Sequence, residues 1–295
     1  MTTDDPMPAA DRAVALVLGA YLRHFRIRRR WHQKHAALAL GCSISTVSRL
    51  EQGAVFMHRH ARALFHRHYD VPKDCARAVD HLLSVTNLST QAGDLGPGWH
   101  DRLALCEQQA TAIATYTATV IPAPLRTSAY ERALVPSGAS AYSAPHRIPR
   151  QLTDRQVYTL FLDSSLLERP VGGARVMAQQ LDHLLHLSWG GRVAIRVVPT
   201  AAGAPVGDAF LSRLTLHGNW LYVRESLGVV YIPGVPVFAA RDRLFETVAT
   251  VALAVDQSHR LLVQARERWR AQEQSHDIPP TAPYPVRVCR KHLPR

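Results

Sequence analysis

Cysteine is scarce in this chain of 295 residues: Cys42, Cys75, Cys106 and Cys289 lie far apart and no two form a CxxC pair. That spacing argues against a disulfide framework and against a thiolate zinc site. Long apolar runs are missing as well. No uninterrupted stretch reaches the roughly 18 to 20 residues that span a bilayer. The amino end, Met1-Thr2-Thr3-Asp4-Asp5-Pro6, is acidic where a signal peptide is basic. A cytoplasmic protein with no membrane partner is therefore expected. Signatures of chemistry are equally sparse. There is no P-loop, nucleophile elbow or dinucleotide fingerprint, and Asp163, Glu168 and Asp208 stand in unlike segments. His58, His60, His66 and His68 lack the i, i+4 spacing that sets two imidazoles on one helical face, and His183 and His186 lack a third ligand. The expectation is a protein that is not an enzyme, with no catalytic residue, no cofactor and no metal.

Acidic side chains are also in deficit, 23 against 35 Lys and Arg, a formal net charge of +12. Such a chain meets polyanions favourably, although charge alone does not separate DNA from RNA or an anionic membrane. The excess is uneven. Residues 1–70 hold eleven basic and five acidic side chains, so half of the surplus lies in the first quarter. With 47% hydrophobic residues the chain can bury a sizeable core, and its length favours two domains.

The most informative stretch runs from Gln33 to Gly53 and reads as two short helices joined by a tight turn. Gly41 can take the left-handed conformation that ends the first helix, and the Ser43 hydroxyl can accept from the free N–H groups that start the second. Ile44, Val47 and Leu50, three apart, are expected to face inward together, leaving Ser45, Thr46, Ser48 and Arg49 outward. Small hydroxyls and one guanidinium suit a major groove, where they can reach base edges and phosphates without bulk. Glu51 is expected to pair with an arginine of the preceding helix, since phosphates repel a carboxylate. The cluster Arg26, Arg28, Arg29 and Arg30 suits either a solvated helix end or phosphate contact.

Around this stretch the pattern predicts a disordered segment 1–10 and a five-helix domain over 11–86. It opens with a long helix from Asp11 to Arg30 that carries Val14, Leu18, Leu22 and Phe25 on one face. A helix over His60–His68 and one started by Pro72 complete the domain. Residues 87–98, with Gly93, Gly96, Pro97 and Gly98, read as a linker. An α+β domain over 99–271 follows, with a small mixed or antiparallel sheet covered by helices. Its expected elements are a helix from Asp101 to Tyr116, a surface loop from Ser137 to Pro149, and strands Val157–Leu162, Val193–Val198, Phe210–Leu216, Trp220–Arg224 and Val229–Ile232. A hairpin turn at His217-Gly218-Asn219, an amphipathic helix Ala174–Trp189 and a closing helix Ala239–Arg270 complete it. The basic, proline-containing tail 272–295 is expected to be mobile.

Together these residues resemble the helix-turn-helix regulators of the XRE family, specifically an actinobacterial, antitoxin-like group with a C-terminal domain of unknown function. In the first domain the resemblance rests on Leu18-Gly19, Leu22-Arg23, Arg26, Gln33, Ala37, Leu40-Gly41, Ser43, Ser45, Val47-Ser48-Arg49 and Glu51 to Gly53. In the second it rests on Val120-Ile121-Pro122, Leu125, Thr127, Tyr130 and Arg132-Ala133-Leu134, and most specifically on Arg169-Pro170-Val171-Gly172-Gly173 before the amphipathic helix. His32 departs from the family's capping Thr, and Ala54-Val55-Phe56-Met57 from its usually basic loop. The resemblance implies a transcriptional regulator that binds double-stranded DNA, acts as a homodimer, and has a small protein encoded by an adjacent gene as partner. It implies a phosphate-binding and buttressing role for Gln33, with Lys34 beside it. DNA contact is thus expected from Gln33, Lys34, Ser43, Ser45, Thr46, Ser48 and Arg49. The C-terminal domain is expected to mediate dimerisation and to sense a partner or an effector of unknown identity; the alternative is an antitoxin-like protein that neutralises a small partner and binds DNA autoregulatorily.

Overall fold

The computed structural model describes residues 7–84, 91–96, 98–134, 148, 150–203, 209–225, 228–234 and 239–275. An all-helical N-terminal domain precedes an α+β domain with a mixed seven-stranded sheet covered by helices. The first domain comprises α1 (Ala9–Arg28), α2 (Gln33–Leu40), α3 (Ile44–Glu51), α4 (Arg59–His68) and α5 (Lys73–Ser84).

Helix α1 differs from the one-faced helix expected. Every residue from Ala13 to Leu22 is buried. No charge or strongly polar group occurs in that stretch, and a helix apolar all round has to be covered all round. One side of α1 packs on α3. The opposite side packs on the α+β domain, where Gln109 Nε2 donates to the Ala20 carbonyl oxygen at 2.7 Å. Gly19 marks the closest approach: a Cβ there would lie 2.6 Å from the Leu50 carbonyl oxygen of α3.

The second domain contains β1 (Ala92–Asp94), α6 (Trp99–Gln109), β2 (Ala112–Thr117), α7 (Ser128–Leu134), β3 (Val157–Asp163), α8 (Ala174–Trp189) and β4 (Val193–Val198). It continues through β5 (Phe210–Leu216), β6 (Asn219–Glu225), β7 (Val229–Pro233), α9 (Ala239–Val251) and α10 (Val255–Ser275). The strand order is β1-β7-β6-β5-β2-β3-β4, with β2, β3 and β4 parallel and the other pairs antiparallel. His217 and Gly218, both at positive φ, form the two-residue turn between β5 and β6. Residues on one sheet face, among them Ile113, Leu160, Ile195, Leu214 and Tyr231, join a single apolar core with α1, α6, α8 and α10. Tyr116, Phe161, Leu211, Tyr222 and Ile232 point to the other face and pack under Leu244, Phe245 and Val248 of α9.

Further expectations are corrected here. Residues 101–116 are not one helix: α6 stops at Gln109, and Ala112–Thr117 forms β2 in mid-sheet. Ile113, Thr115 and Thr117 are β-branched and alternate with Ala114 and Tyr116, a period of two that suits a strand held on both sides. Within the segment 87–98 expected as linker, Ala92–Asp94 is an edge strand on β7. The closing helix is two helices, α9 and α10, on opposite sheet faces. They part at Ala252-Leu253-Ala254 because that connector closes the outer edge of β4: Leu253 N–H donates to the Val197 carbonyl at 2.9 Å, and Arg196 donates to the carbonyls of Leu253 and Ala252. Of the segments expected to be disordered or mobile, 1–10 and 272–295, Ala9 and Ala10 belong to α1 and residues 272–275 to α10; residues 1–6, those beyond Ser275 and the expected loop 137–149, apart from Ile148, lie outside the described residues.

Two buried charge clusters tie the second domain together. Arg102, 1% exposed, holds Asp94 of β1 through a bidentate pair and also donates to the Gly96 carbonyl. Arg150, which lies between α7 and β3, donates to Glu107 of α6 and to Glu225 of β6 at 2.6 to 2.8 Å. Burial opposes every charge in this triad. At Glu225 burial is overcome by Arg150, leaving the carboxyl below its ordinary range, whereas at Glu107 burial prevails and raises it.

Gly19→Ala tests the α1–α3 contact. Helix propensity alone would favour Ala by about 1 kcal/mol, but the new methyl meets backbone atoms that cannot rotate away. A net loss of about 1 to 2 kcal/mol is expected in urea denaturation; an unchanged or raised midpoint would mean that the crossing has slack.

Candidate nucleic-acid interface

Helices α2 and α3 meet at a corner built by two local devices. Gly41 sits at φ 63°, ψ 36°, which ends α2, and the N–H of Cys42 returns to the Ala37 carbonyl at 3.0 Å. Ser43 then caps α3 by accepting from Thr46 N–H at 3.0 Å, a contact worth about 1 kcal/mol. Ala36, Ala37 and Leu40 of α2 and Val47 and Leu50 of α3 turn inward, packing α2 on α3 and α4 and α3 on α1.

Beneath the corner, Glu51 is buried at 2% exposure and the Arg26 guanidinium of α1 grips it with Nε and Nη2 at 2.5 and 2.9 Å. Arg26 also donates to the Trp31 carbonyl at 2.8 Å, and Gln33 Nε2 donates to Glu51 at 3.2 Å. The pair raises the Arg26 pKa, chiefly through its hydrogen bond to Glu51. The expected partner of Glu51 is therefore Arg26, and Gln33 has its amide turned to the same carboxylate. The rest of the arginine cluster divides. Arg29 lies over the Trp31 ring at 4.7 Å, while Arg28 and Arg30 are exposed.

Each residue expected to touch DNA can be placed. Lys34 is exposed at the start of α2. On α3, Ser45 and Arg49 are exposed, and among the described residues Arg49 enters no ion pair. Thr46 and Ser48 are partly covered: Thr46 Oγ1 lies 2.9 Å from Ser43 Oγ, and Ser48 Oγ accepts from Gln52 Nε2 at 3.3 Å. Ser43 thus serves the helix cap first. The structure brings Ser45, Thr46, Ser48 and Arg49 onto one side of α3, with Lys34 and Gln33 at the start of α2.

Ile44 is a correction. It does not join the inward stripe but is 53% exposed: it shares a face with Val47 and Glu51, yet it stands at the amino end of α3, away from the Leu50–Glu51 end that meets Gly19 of α1. Leu38, 82% exposed on α2, stands near it across Cys42 and Ser43 and was missed from the sequence. Its position was legible: Ala36, Ala37 and Leu40 occupy the inward positions of α2, and a residue at 38 falls outside their arc. An apolar spot therefore flanks the hydroxyl and guanidinium face, and methyl-bearing thymines make apolar contacts of this kind in a major groove.

Residues 17–79 match the model of a family described as a helix-turn-helix domain, so the N-terminal domain has a DNA-binding architecture. Residues 100–264 match the model of a family described as a domain of unknown function, DUF5753. No curated protein matches the chain. Among the described residues no helix is long and apolar enough to cross a membrane.

Arg26→Ala probes the support under the corner. It leaves the Glu51 carboxylate buried with Gln33 alone, and a loss of about 3 to 5 kcal/mol is expected in chemical denaturation. A loss below about 1 kcal/mol would show that the pair contributes no more than a surface ion pair.

Proposed function

The chain belongs to the DUF5753 family, whose domain covers more than half of it, and on that premise we propose that it is a sequence-specific, DNA-binding transcriptional regulator of the XRE type. The observation that carries this reading is the capped α3, with Ser45 and Arg49 exposed on one side and Val47 and Leu50 anchored on the other. Arg49, Ser45, Thr46 and Ser48 read base edges and nearby phosphates. Lys34, Gln33 and the exposed Arg28 and Arg30 supply or orient contacts to the backbone. Ser43 contributes mainly through its cap.

The regulator works in the cytoplasm as a homodimer, its two readers entering successive major grooves about 34 Å apart, so its site is near-palindromic. It acts by binding, not by turnover. Polar groups of the second domain support this: Asp163 accepts from Ser165 N–H, and Glu107 and Glu225 are both hydrogen-bonded to Arg150. The second domain senses an effector or partner, and binding there shifts DNA affinity by favouring one arrangement of the readers. The antitoxin-like alternative uses the same reader and differs in what the second domain holds; a cavity of small-molecule size in that domain favours an effector over a neutralised protein.

Arg49→Ala is expected to weaken specific DNA binding by about 1 to 3 kcal/mol while leaving non-specific binding nearly unchanged. Footprint titrations of wild type and variant measure both. Retained specific affinity in the variant would remove α3 as the reading helix.

A further inference from the structure

A cavity of about 610 Å³ opens on the α1 side of the sheet, beyond the carboxyl end of β2, between the start of α6 and α7. We propose that it binds a small organic anion: a carboxylate or phosphate borne on a planar, apolar body. The inference rests on reading the second domain as a sensor, and it names the site and the ligand chemistry.

The shape fits first. Clefts of roughly 300 to 1,000 Å³, apolar over most of their walls with a few convergent polar groups, accept drug-sized molecules. Here Trp99 and Phe210 supply aromatic walls, and the described parts of the rim come from Arg126, Ser128 and Arg132. The balance of hydrogen bonding then selects the charge. Both carboxylates that face the cavity are already engaged: Glu131 accepts from Arg126 Nη1 at 2.7 Å, and Glu225 accepts from both terminal nitrogens of Arg150. Donors are left over. Arg132 uses only Nε, toward the Ser128 carbonyl at 3.1 Å, and Arg126 commits Nε to the Ile121 carbonyl and Nη1 to Glu131. Among the described residues the Nη1 and Nη2 groups of Arg132 and Nη2 of Arg126 have no protein acceptor. A guanidinium fork with free terminal N–H groups matches a carboxylate or phosphate in plane and can hold it bidentately. A cationic ligand would meet carboxylates that arginines already hold, Glu131 through Arg126 and Glu225 through Arg150.

Position ties this site to the reader. The wall that carries Trp99 is α6, which also holds β1 through Arg102, contacts Arg150 through Glu107 and reaches α1 through Gln109. A ligand seated against α6 therefore touches the helix that packs on α1, and α1 carries α3.

The test uses the full chain and two probes with the same aromatic body, similar size and opposite charge, 1-naphthoate and 1-naphthylmethylammonium, in isothermal titration calorimetry. The naphthoate is expected to bind with a dissociation constant below about 1 mM, and the ammonium at least tenfold more weakly. Arg132→Ala removes an exposed side chain and leaves the unfolding midpoint unchanged; it should weaken naphthoate at least tenfold, with Arg132→Lys in between. Equal binding of the two probes, equal naphthoate affinity in wild type and Arg132→Ala, or no naphthoate heat up to about 5 mM would overturn the proposal. DNA mobility shifts without probe, on wild type and Arg132→Ala, report on the regulator reading separately: loss of sequence preference there leaves the cavity result standing, and the reverse holds as well.

Discussion

Helix α1 is enclosed on all sides through Ala13–Leu22, and the rest of the architecture depends on that enclosure. One surface of the helix is the floor of the DNA-binding corner and the other is part of the core beneath the sheet. Fully buried aliphatic side chains contribute about 1.5 to 3 kcal/mol each relative to exposure, so separating the reader from the second domain would expose several such residues at once. The two domains consequently share one apolar core. The orientation of α3 relative to the sheet is set by packing, with Gly19 permitting backbone contact at the crossing.

Within that frame, charge serves two different ends. Arg26, Arg102 and Arg150 are drawn inward and matched to Glu51, Asp94 and the pair Glu107 and Glu225. Buried pairs of this kind add little net stability over an apolar replacement, yet removing one partner is costly, so they favour one arrangement over its alternatives. Arg28, Arg30, Lys34 and Arg49 stay exposed on the reader. Arg28, Arg30 and Lys34 attract a polyanion without regard to sequence, and Arg49 with the short side chains of α3 is left to discriminate.

The legible parts of the fold are those whose signal is local. Gly41 and Ser43 announce the corner between α2 and α3, and alternation bounded by turn residues announces β3 to β7 with ends correct to within a residue or so. The misreadings arise where tertiary contact decides. Thr111 to Thr117 follows a helix without a Gly or Pro between them, so β2 merges with α6 in a helical reading, and only its neighbours β3 and β5 draw it into the sheet. The break between α9 and α10 has no proline or glycine either; it comes from hydrogen bonds to β4, some 55 residues earlier in the chain. Ile44 belongs to an apolar triplet in sequence, but it stands at the amino end of α3, beyond the part of the helix that meets α1 at Gly19. Arg150 joins carboxylates 43 and 75 residues away, a constellation with no spacing rule to reveal it. The cavity beside it was invisible for the same reason.

The central claim, that α3 held on a shared α1 reads a duplex, is tested most directly by selection from a pool of random-sequence duplexes with the purified chain, followed by sequencing of the bound fraction. The account predicts enrichment of two related half-sites with centres about 10 base pairs apart, persisting at about 100 mM salt. A bound fraction with the same sequence composition as the starting pool at that ionic strength would contradict it.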